Sequence, residues 1–184
     1  HIAQCKQPDF VQRFHQQFTL VQKTFRSGCK HGGYCQEKGE LGSGFAGPAV
    51  ADGKVIVFHR EGDEVLVEAL SASDGKPIWK FTAPTDYSDS FGMSDGPRTT
   101  PTVADGRVFV HGADGRVYAL DLKSGKQLWS YDTVAEHNSP QGFFGRTCSP
   151  LVVGGLVILT PGGTRLGKPA GVIALDVVTG KLVW

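Results

Sequence analysis

Two long stretches of the chain carry the polar and charged side chains that could bind a ligand. The first runs from Thr82 to Pro97 and the second from Thr133 to Ser149. Seven residues in or beside them are candidates for ligand binding: Asp86, Asp89, Asp95, Arg98, Glu136, His137 and Arg146. An arginine guanidinium binds carboxylates and other anions through paired N–H donors. The two arginines therefore predict a site for a small anionic ligand, and no residue is predicted to be catalytic.

The same arginines also allow a structural interpretation. Arg98 and Arg146 each lie shortly before a strand that the internal repeat, described below, makes the innermost strand of its unit. Both side chains are therefore expected to point toward a central axis. Two guanidinium groups there would repel each other unless an anion or a carboxylate lay between them. Arg98 could instead pair with Asp95 or Asp89, and Glu136 could serve the second arginine. Both interpretations stay open at this point.

Other residues with metal- or phosphate-binding chemistry lack the spacing that such sites need. Cys29, His31 and Cys35 lie close together, but no second Cys or His pair follows at the spacing of a zinc finger. The glycine pair at 162–163 is not followed by the Lys-Ser/Thr of a phosphate-binding loop. His137 is expected to be a solvated loop residue. We interpret the cysteines as incidental and predict no metal site.

Composition excludes several classes of protein. The 184 residues carry 19 basic and 18 acidic side chains, without the basic excess typical of nucleic-acid-binding domains. No stretch approaches the roughly 18 consecutive apolar residues of a transmembrane helix. The 25 glycines and 10 prolines favour a turn-rich β protein over a helical bundle.

Most of the chain consists of an internal repeat. Three units open with a Pro-x-Val motif and close with a Gly-Lys turn and a tryptophan: Pro48 to Trp79, Pro101 to Trp129 and Pro150 to Trp184. The units recur roughly every 50 residues, a period seen in β-propellers. Asp-Gly and Gly-Gly pairs within each unit suit two-residue hairpins. Each unit is therefore predicted to be a blade of four short antiparallel strands.

The repeated residues are predicted to be structural. Eight of them form this set: Trp79, Trp129, Trp184, Asp121, Asp176, Gly75, Gly125 and Gly180. Trp129 is expected to fill the gap between adjacent sheets, as are its equivalents. Asp121 and Asp176 stand where a strand enters a turn, so that their carboxylates can accept backbone N–H groups of the turn.

The repeat resembles that of a known family. Residues 119–129 resemble the repeat of the pyrroloquinoline-quinone (PQQ)-like β-propeller family, which runs Ala-x-Asp-x-x-Thr-Gly-x-x-x-Trp. Residues 174–184 match it fully. The first unit has Ser71 for the Asp and Asp74 for the Thr, so its turn is expected to be held differently. The resemblance covers residues 41–184 and implies an all-β propeller fragment of about three four-stranded blades, near residues 44–81, 97–131 and 147–184.

Members of this quinoprotein alcohol dehydrogenase-like superfamily differ in activity. The resemblance implies either a dehydrogenase that holds PQQ and usually Ca²⁺ on the propeller axis, or a scaffold such as the lipoprotein of the outer-membrane β-barrel assembly machinery. The dehydrogenases commonly carry an adjacent cysteine pair and a stacking tryptophan. Here no two cysteines are adjacent and every tryptophan belongs to the repeat. We therefore predict a non-catalytic binding or scaffold module; the alternative is part of a PQQ-dependent dehydrogenase that oxidises an alcohol or sugar, and PQQ and Ca²⁺ are expected only in that case.

Residues 1–40 differ from the repeats. They contain seven of the nine glutamines and form an atypical lead-in that is expected to be helical or irregular; an apolar stripe favours a helix over residues 10–27. Three blades are fewer than the roughly four to eight that close a propeller, so a truncated ring is expected. The expected partners are a protein or small anion on the face with the long loops, and further blades or a second copy beside the open ring. Family resemblance implies a periplasmic or extracytoplasmic location, and no signal peptide is visible.

Overall fold

The computed structural model describes residues 41–184, and their architecture is almost entirely β. The first sheet has four antiparallel strands in chain order: β1 (Ala49–Ala51), β2 (Lys54–Glu61), β3 (Glu64–Ser71) and β4 (Pro77–Pro84). Successive side chains of a strand point to opposite faces. Residues 55–58 of β2 are all buried, so both faces of this sheet are covered near its centre. The continuous apolar run Val-Ile-Val-Phe in β2 is the sequence pattern of such a strand.

The second and third sheets repeat this arrangement. The second sheet contains β5 (Thr102–Ala104), β6 (Arg107–His111), β7 (Arg116–Asp121) and β8 (Gln127–Asp132), again in chain order. The third contains β9 (Leu151–Val153), β10 (Leu156–Leu159) and β13 (Ile173–Asp176). A two-stranded hairpin, β11 (Thr164–Arg165) with β12 (Lys168–Pro169), interrupts the third unit. The predicted propeller blades are confirmed as antiparallel sheets of this kind.

The fourth position of the third sheet is occupied by the last residues described. Leu182 forms an isolated bridge with Leu175, and the backbone of Ala174 exchanges hydrogen bonds with Val183 and Trp184. This segment pairs through fewer bonds than β4 or β8 do. The Trp184 side chain is 56% exposed.

Tight turns join the first two strands of each sheet. Asp52-Gly53, Asp105-Gly106 and Gly154-Gly155 all have positive φ at both positions, between 49° and 78°. Two such residues form the type I′ turn, whose twist matches that of the flanking strands. Glycine and aspartate tolerate this conformation better than most residues, which explains their recurrence here.

Apolar side chains fill the spaces between neighbouring sheets. One core lies between the first and second sheets and contains Phe58, Val67 and Leu120. The other lies between the second and third sheets and contains Phe109 and Leu175. Each sheet thus buries apolar area against the next, and this burial is the main favourable contribution to stacking.

The repeat tryptophans and glycines meet across these two spaces. The indole nitrogen of Trp79 donates to the Leu122 carbonyl oxygen at 3.0 Å, and that of Trp129 donates to the Val177 carbonyl oxygen at 3.2 Å. A Cβ at Gly125 would lie 2.5 Å from the Trp79 ring, and one at Gly180 would lie 2.5 Å from the Trp129 ring. The glycines of these two turns therefore leave room for the tryptophan of the preceding blade.

The turn aspartates hold the same turns from within. Asp121 Oδ1 accepts from the Ser124 backbone N–H at 2.8 Å, and Asp176 Oδ1 accepts from the Thr179 backbone N–H at 2.7 Å. In the first blade the Ser71 hydroxyl accepts from the Ser73 backbone N–H at 3.3 Å instead. That turn keeps the same backbone bonds with a weaker side-chain contact.

One short helix was not predicted from the sequence. Helix α1 (Thr133–His137) follows β8, and Asp132 caps it by accepting from the backbone N–H groups of Val134 and Ala135. None of the helices among residues 41–184 is long and apolar enough to cross a membrane. The helix predicted over residues 10–27 and the cluster of Cys29, His31 and Cys35 lie outside the described residues.

Candidate functional site

The strand order separates two kinds of connection onto opposite faces of the sheets. The short-turn face carries the turns after the first and third strands of each blade: 52–53, 72–76, 105–106, 122–126, 154–155 and 177–181. The long-loop face carries the first connection (residues 85–101) and the second connection (residues 133–150), which link successive blades. The loop at 160–172 lies on the same face. Function in rigid scaffolds commonly lies in such loops, so the candidate residues of the long-loop face are described first.

Arg98 is turned into the first connection. Its side chain is 7% exposed and its Nη2 lies 3.2 Å from Oδ2 of Asp89, whose side chain is fully buried. The guanidinium also donates to the carbonyl oxygens of Gly96 and Ser94, at 3.2 and 3.0 Å. Its Cζ lies 5.4 Å from the centroid of the Tyr87 ring, within the range of a cation–π contact. Arg98 therefore holds its own loop, one of the two interpretations that the sequence left open.

Asp89 organises the same loop from its centre. Its carboxylate accepts from the backbone N–H groups of Phe91, Met93 and Ser94 at 2.9–3.1 Å. These backbone donors, that of Ser94 first, hold the pKa of Asp89 below its usual value, and the Arg98 charge acts in the same direction. The next acidic residue, Asp95, accepts from the backbone N–H of Asp89 at 2.6 Å.

Arg146 performs a similar task in the second connection with different partners. Its Nη2 donates to the Ser139 carbonyl oxygen at 2.6 Å and to the Ser139 hydroxyl at 3.1 Å. Its Nη1 donates to the Ala113 carbonyl oxygen in the β6–β7 turn at 3.3 Å. Burial lowers the pKa of Arg146, although the negative charge of Asp114 opposes the shift. Its bonds join the second connection to the second blade.

The remaining acidic candidates are dispersed. Glu136 lies 3.5 Å from Arg165 in the third blade and does not pair with Arg146. Asp86 is exposed. The two arginines share no hydrogen-bond partner among the residues that the structure describes. The anion site predicted between them thus lacks donors that face a common point, and their ligand-binding role stays a prediction.

The expectation for His137 was wrong. The residue is 1% exposed, and its Nε2 lies 2.8 Å from the Tyr131 hydroxyl. Helix α1 turns the imidazole inward because His137 lies one turn after Thr133, which is also buried. Burial lowers the pKa of His137.

Sequence reasoning missed Arg60, near the end of β2. Its Nε donates to the Gly62 carbonyl oxygen at 2.7 Å, and its Nη1 donates to the carbonyl oxygens of Tyr87 and Asp95. Arg60 therefore fastens the first connection to the β2–β3 hairpin. No motif marks it, because a charged residue near a strand end is ordinarily read as solvated.

Sequence reasoning also left three phenylalanines of the connections without a role. Phe91 from the first connection contacts Phe143 and Phe144 from the second, with ring centroids 5.6 and 5.7 Å apart. All three side chains are exposed, Phe143 by 74%. We call these three residues the aromatic cluster. The signal that could have identified them is the occurrence of phenylalanines in glycine-rich loops that were predicted to lie on one face.

The cofactor that the resemblance implies can be tested against the side chains present. Among residues 41–184, no three His, Cys, Asp or Glu side chains lie together as they would around a metal ion. Trp79 and Trp129 are committed to the contacts between blades. These residues do not by themselves fit PQQ with Ca²⁺, and no reaction step is derived through that cofactor.

Comparison with curated proteins gives two kinds of relative. The chain is 36% identical over 140 residues to quinohemoprotein alcohol dehydrogenase ADH-IIG of Pseudomonas putida. The match covers 76% of this chain and 19% of that protein. It is 39% identical over 90 residues to outer membrane protein assembly factor BamB of Xanthomonas campestris. This match covers 48% of this chain and 21% of that protein. The chain therefore spans about a fifth of the length of these relatives.

Solved structures give the same two kinds of relative. A europium-containing methanol dehydrogenase matches with a TM-score of 0.56 at 25% identity, over 79% of this chain and 25% of that one. BamB from Moraxella catarrhalis matches with a TM-score of 0.50 at 22% identity, over 76% of this chain and 35% of that one, and supports the fold alone.

A family model described as outer membrane protein assembly factor BamB matches residues 19–184. The match begins within residues 1–40, ahead of the region that the repeat resemblance covered. The repeated Asp, Gly and Trp residues, the stacked four-stranded sheets and this match agree: the chain belongs to the family of PQQ-like β-propeller repeat proteins, within the quinoprotein alcohol dehydrogenase-like superfamily.

Proposed function

We propose that this chain is a non-catalytic binding module that engages a partner through its long-loop face. The observation that carries the proposal is the way the charged side chains of that face are used. Arg98, Asp89 and Arg146 are buried and bonded within the connections. Groups held in this way give a loop a defined shape, but they are not presented to a reacting substrate.

The two connections form a single platform. The side-chain amide nitrogen of Gln141 donates to the Ser88 carbonyl oxygen at 3.0 Å and links the second connection to the first. A Cβ at Gly145 would lie 2.8 Å from the Tyr87 ring, so the two connections also approach closely there. A loop surface that is ordered before binding loses less conformational entropy when a partner docks.

A second candidate function is supported by the relatives. The quinohemoprotein alcohol dehydrogenase of Pseudomonas putida covers 76% of this chain, which favours part of a PQQ-dependent oxidoreductase that oxidises an alcohol or sugar. PQQ and Ca²⁺ would then be held with residues outside 41–184. The binding module is preferred because the described residues lack the side chains for that cofactor.

An activity measurement on the complete natural protein separates the two functions. The protein is titrated with PQQ and Ca²⁺, and reduction of an electron-accepting dye is followed with an alcohol and with a sugar as substrate. We expect no saturable PQQ binding and no dye reduction above that of PQQ with Ca²⁺ alone. Saturable binding with turnover would contradict the non-catalytic role.

The family also suggests where the module acts. One relative is an outer membrane protein assembly factor, and we propose an extracytoplasmic location for this protein on that basis. Cell fractionation followed by immunoblotting would check the location.

A further inference from the structure

The aromatic cluster forms a contiguous exposed apolar surface. Phe91, Phe143 and Phe144 are 55%, 74% and 45% exposed, and the neighbouring Met93 is 63% exposed. Single exposed apolar residues are ordinary, but contiguous apolar patches mark interaction sites. Aromatic residues and methionine are also enriched in protein–protein interfaces.

The cluster is held in place from beneath. The Phe91 backbone N–H donates to Asp89 at 3.1 Å, so the ring stands on the part of the loop that Asp89 and Arg98 fix. The segment with Phe143 and Phe144 lies between Gln141, which bonds across to the first connection, and the buried Arg146. The three rings therefore stand on hydrogen-bonded segments of two different connections.

The exposed charged side chains of the two connections are acidic: Asp86 and Asp95 in the first and Glu136 in the second. Three acidic residues are also exposed at the neighbouring β2–β3 turn, Glu61, Asp63 and Glu64, whereas the basic Arg165 and Lys168 lie in the loop at 160–172. Arg98 and Arg146, the arginines of the two connections, face inward. An acidic surface attracts a basic partner and accelerates its association.

We propose that the aromatic cluster docks a basic segment of a partner protein, which places an apolar or arginine side chain against the three rings. This inference rests on the proposed binding function and names the chemistry of the partner. A leucine side chain would bury apolar area against the rings. An arginine would make a cation–π contact with a ring while acidic residues lie nearby.

The test uses two fluorescently labelled peptides of equal length, one alternating Arg with Leu and the other alternating Glu with Leu. Binding to the 184-residue chain is measured by fluorescence anisotropy, for the parent and for Phe143→Ser and Phe91→Ser. Leu166→Ser is the matched control, because Leu166 is 95% exposed on the same face but outside the cluster. Melting curves verify that each variant is folded as the parent is.

We expect the Arg/Leu peptide to bind the parent and the control equally. Each Phe variant should bind it about tenfold more weakly, as expected for an aromatic hot-spot residue. Binding should weaken as salt is added. Asp86→Asn should weaken it less than Phe143→Ser does, and Asp52→Asn on the short-turn face should have no effect.

Three results would overturn the proposal, and they differ in what they say of the proposed function. If the Arg/Leu peptide binds both Phe variants as tightly as the parent, the aromatic cluster is not its binding site. The proposed binding role of the long-loop face is then retained. Equal or tighter binding of the Glu/Leu peptide contradicts the basic partner. Failure of both peptides to bind, with cellohexaose binding that is lost in Phe143→Ser, assigns the cluster to a saccharide instead. Turnover with PQQ, by contrast, is the result that removes the proposed function itself.

Discussion

The short-turn face and the long-loop face are built from the same repeated unit but are stabilised in different ways. On the short-turn face, each turn uses residues at fixed positions of the repeat, and the glycines of two turns receive the tryptophan of the preceding blade. On the long-loop face, the two connections are held by different partners, Asp89 in one and backbone carbonyls in the other. The comparison teaches that stacking depends on repeated residues, whereas each loop acquires its own buried polar network.

The first blade shows how much variation the repeated turns allow. Its turn has Ser71 where the other two have Asp121 and Asp176. The backbone bonds are nevertheless the same in all three turns: a glycine N–H to the carbonyl oxygen four residues earlier, at 2.8–2.9 Å. The carboxylate therefore strengthens a turn whose backbone already closes without it, whereas the tryptophan between blades has no such substitute.

The largest expected effect concerns Trp129. Trp129→Ala removes an indole that packs on Gly180 and Phe109 between two sheets, and we expect a loss of about 3–5 kcal/mol in the free energy of unfolding. Chemical denaturation followed by circular dichroism measures it. Leu128→Ala is the control, since Leu128 is the adjacent residue and is exposed. An unchanged midpoint for Trp129→Ala would mean that this residue does not hold the blades together.

A pH effect of slightly smaller size is expected from His111, a buried histidine at the end of β6. His111 is fully buried, its Nδ1 lies 3.4 Å from the Cys148 carbonyl oxygen, and burial lowers its pKa from 6.5 to about 4. The imidazole of His111 binds a proton more readily in the unfolded chain than in the folded one. The contribution of neutral His111 to stability is therefore fully present above pH 6.5 and is lost as the pH falls toward about 4. A difference of one pKa unit corresponds to about 1.4 kcal/mol. The shift from 6.5 to about 4 therefore corresponds to a loss of about 3 kcal/mol in the free energy of unfolding.

The pH dependence is checked by denaturant unfolding at intervals between neutral pH and pH 4. His111→Gln keeps a side chain that can donate toward the Cys148 carbonyl oxygen but does not titrate, so the slope of stability against pH should decrease. It should not vanish, because burial also lowers the pKa of His59 and of His137. An identical slope in parent and variant would show that His111 does not contribute.

The smallest of these effects concerns the second connection. Arg146→Met keeps an unbranched side chain without the guanidinium and leaves the Ser139 and Ala113 carbonyl oxygens without these donors, at an expected cost of about 1–3 kcal/mol. Proteolysis should cleave near residues 138–147 faster in the variant than in the parent. If phosphate raised the melting temperature of the parent but not of this variant, Arg146 would serve a ligand instead of the loop.

Much of the fold could be predicted because its determinants recur. The Asp-Gly or Gly-Gly hairpin turn, the Pro-x-Val motif and the tryptophan occupy equivalent positions in three units, and each repetition supports the others. Helix α1 was missed although Asp132 is an ordinary N-cap residue, because five residues are too few for a periodic apolar pattern. The same helix directs the His137 side chain inward, so this residue is buried and not solvated as expected.

The sequence by itself determined the blades and their mode of stacking, since both follow from local turn chemistry and from residues repeated at a constant period. It left the two connections undecided, because the choice between an anion and Asp89 as the partner of Arg98 depends on the direction of a side chain in a folded loop. The aromatic cluster was decided by tertiary structure alone. Phe91 and Phe143 lie on consecutive connections, far apart in sequence, and meet only because stacking of the blades brings those connections together.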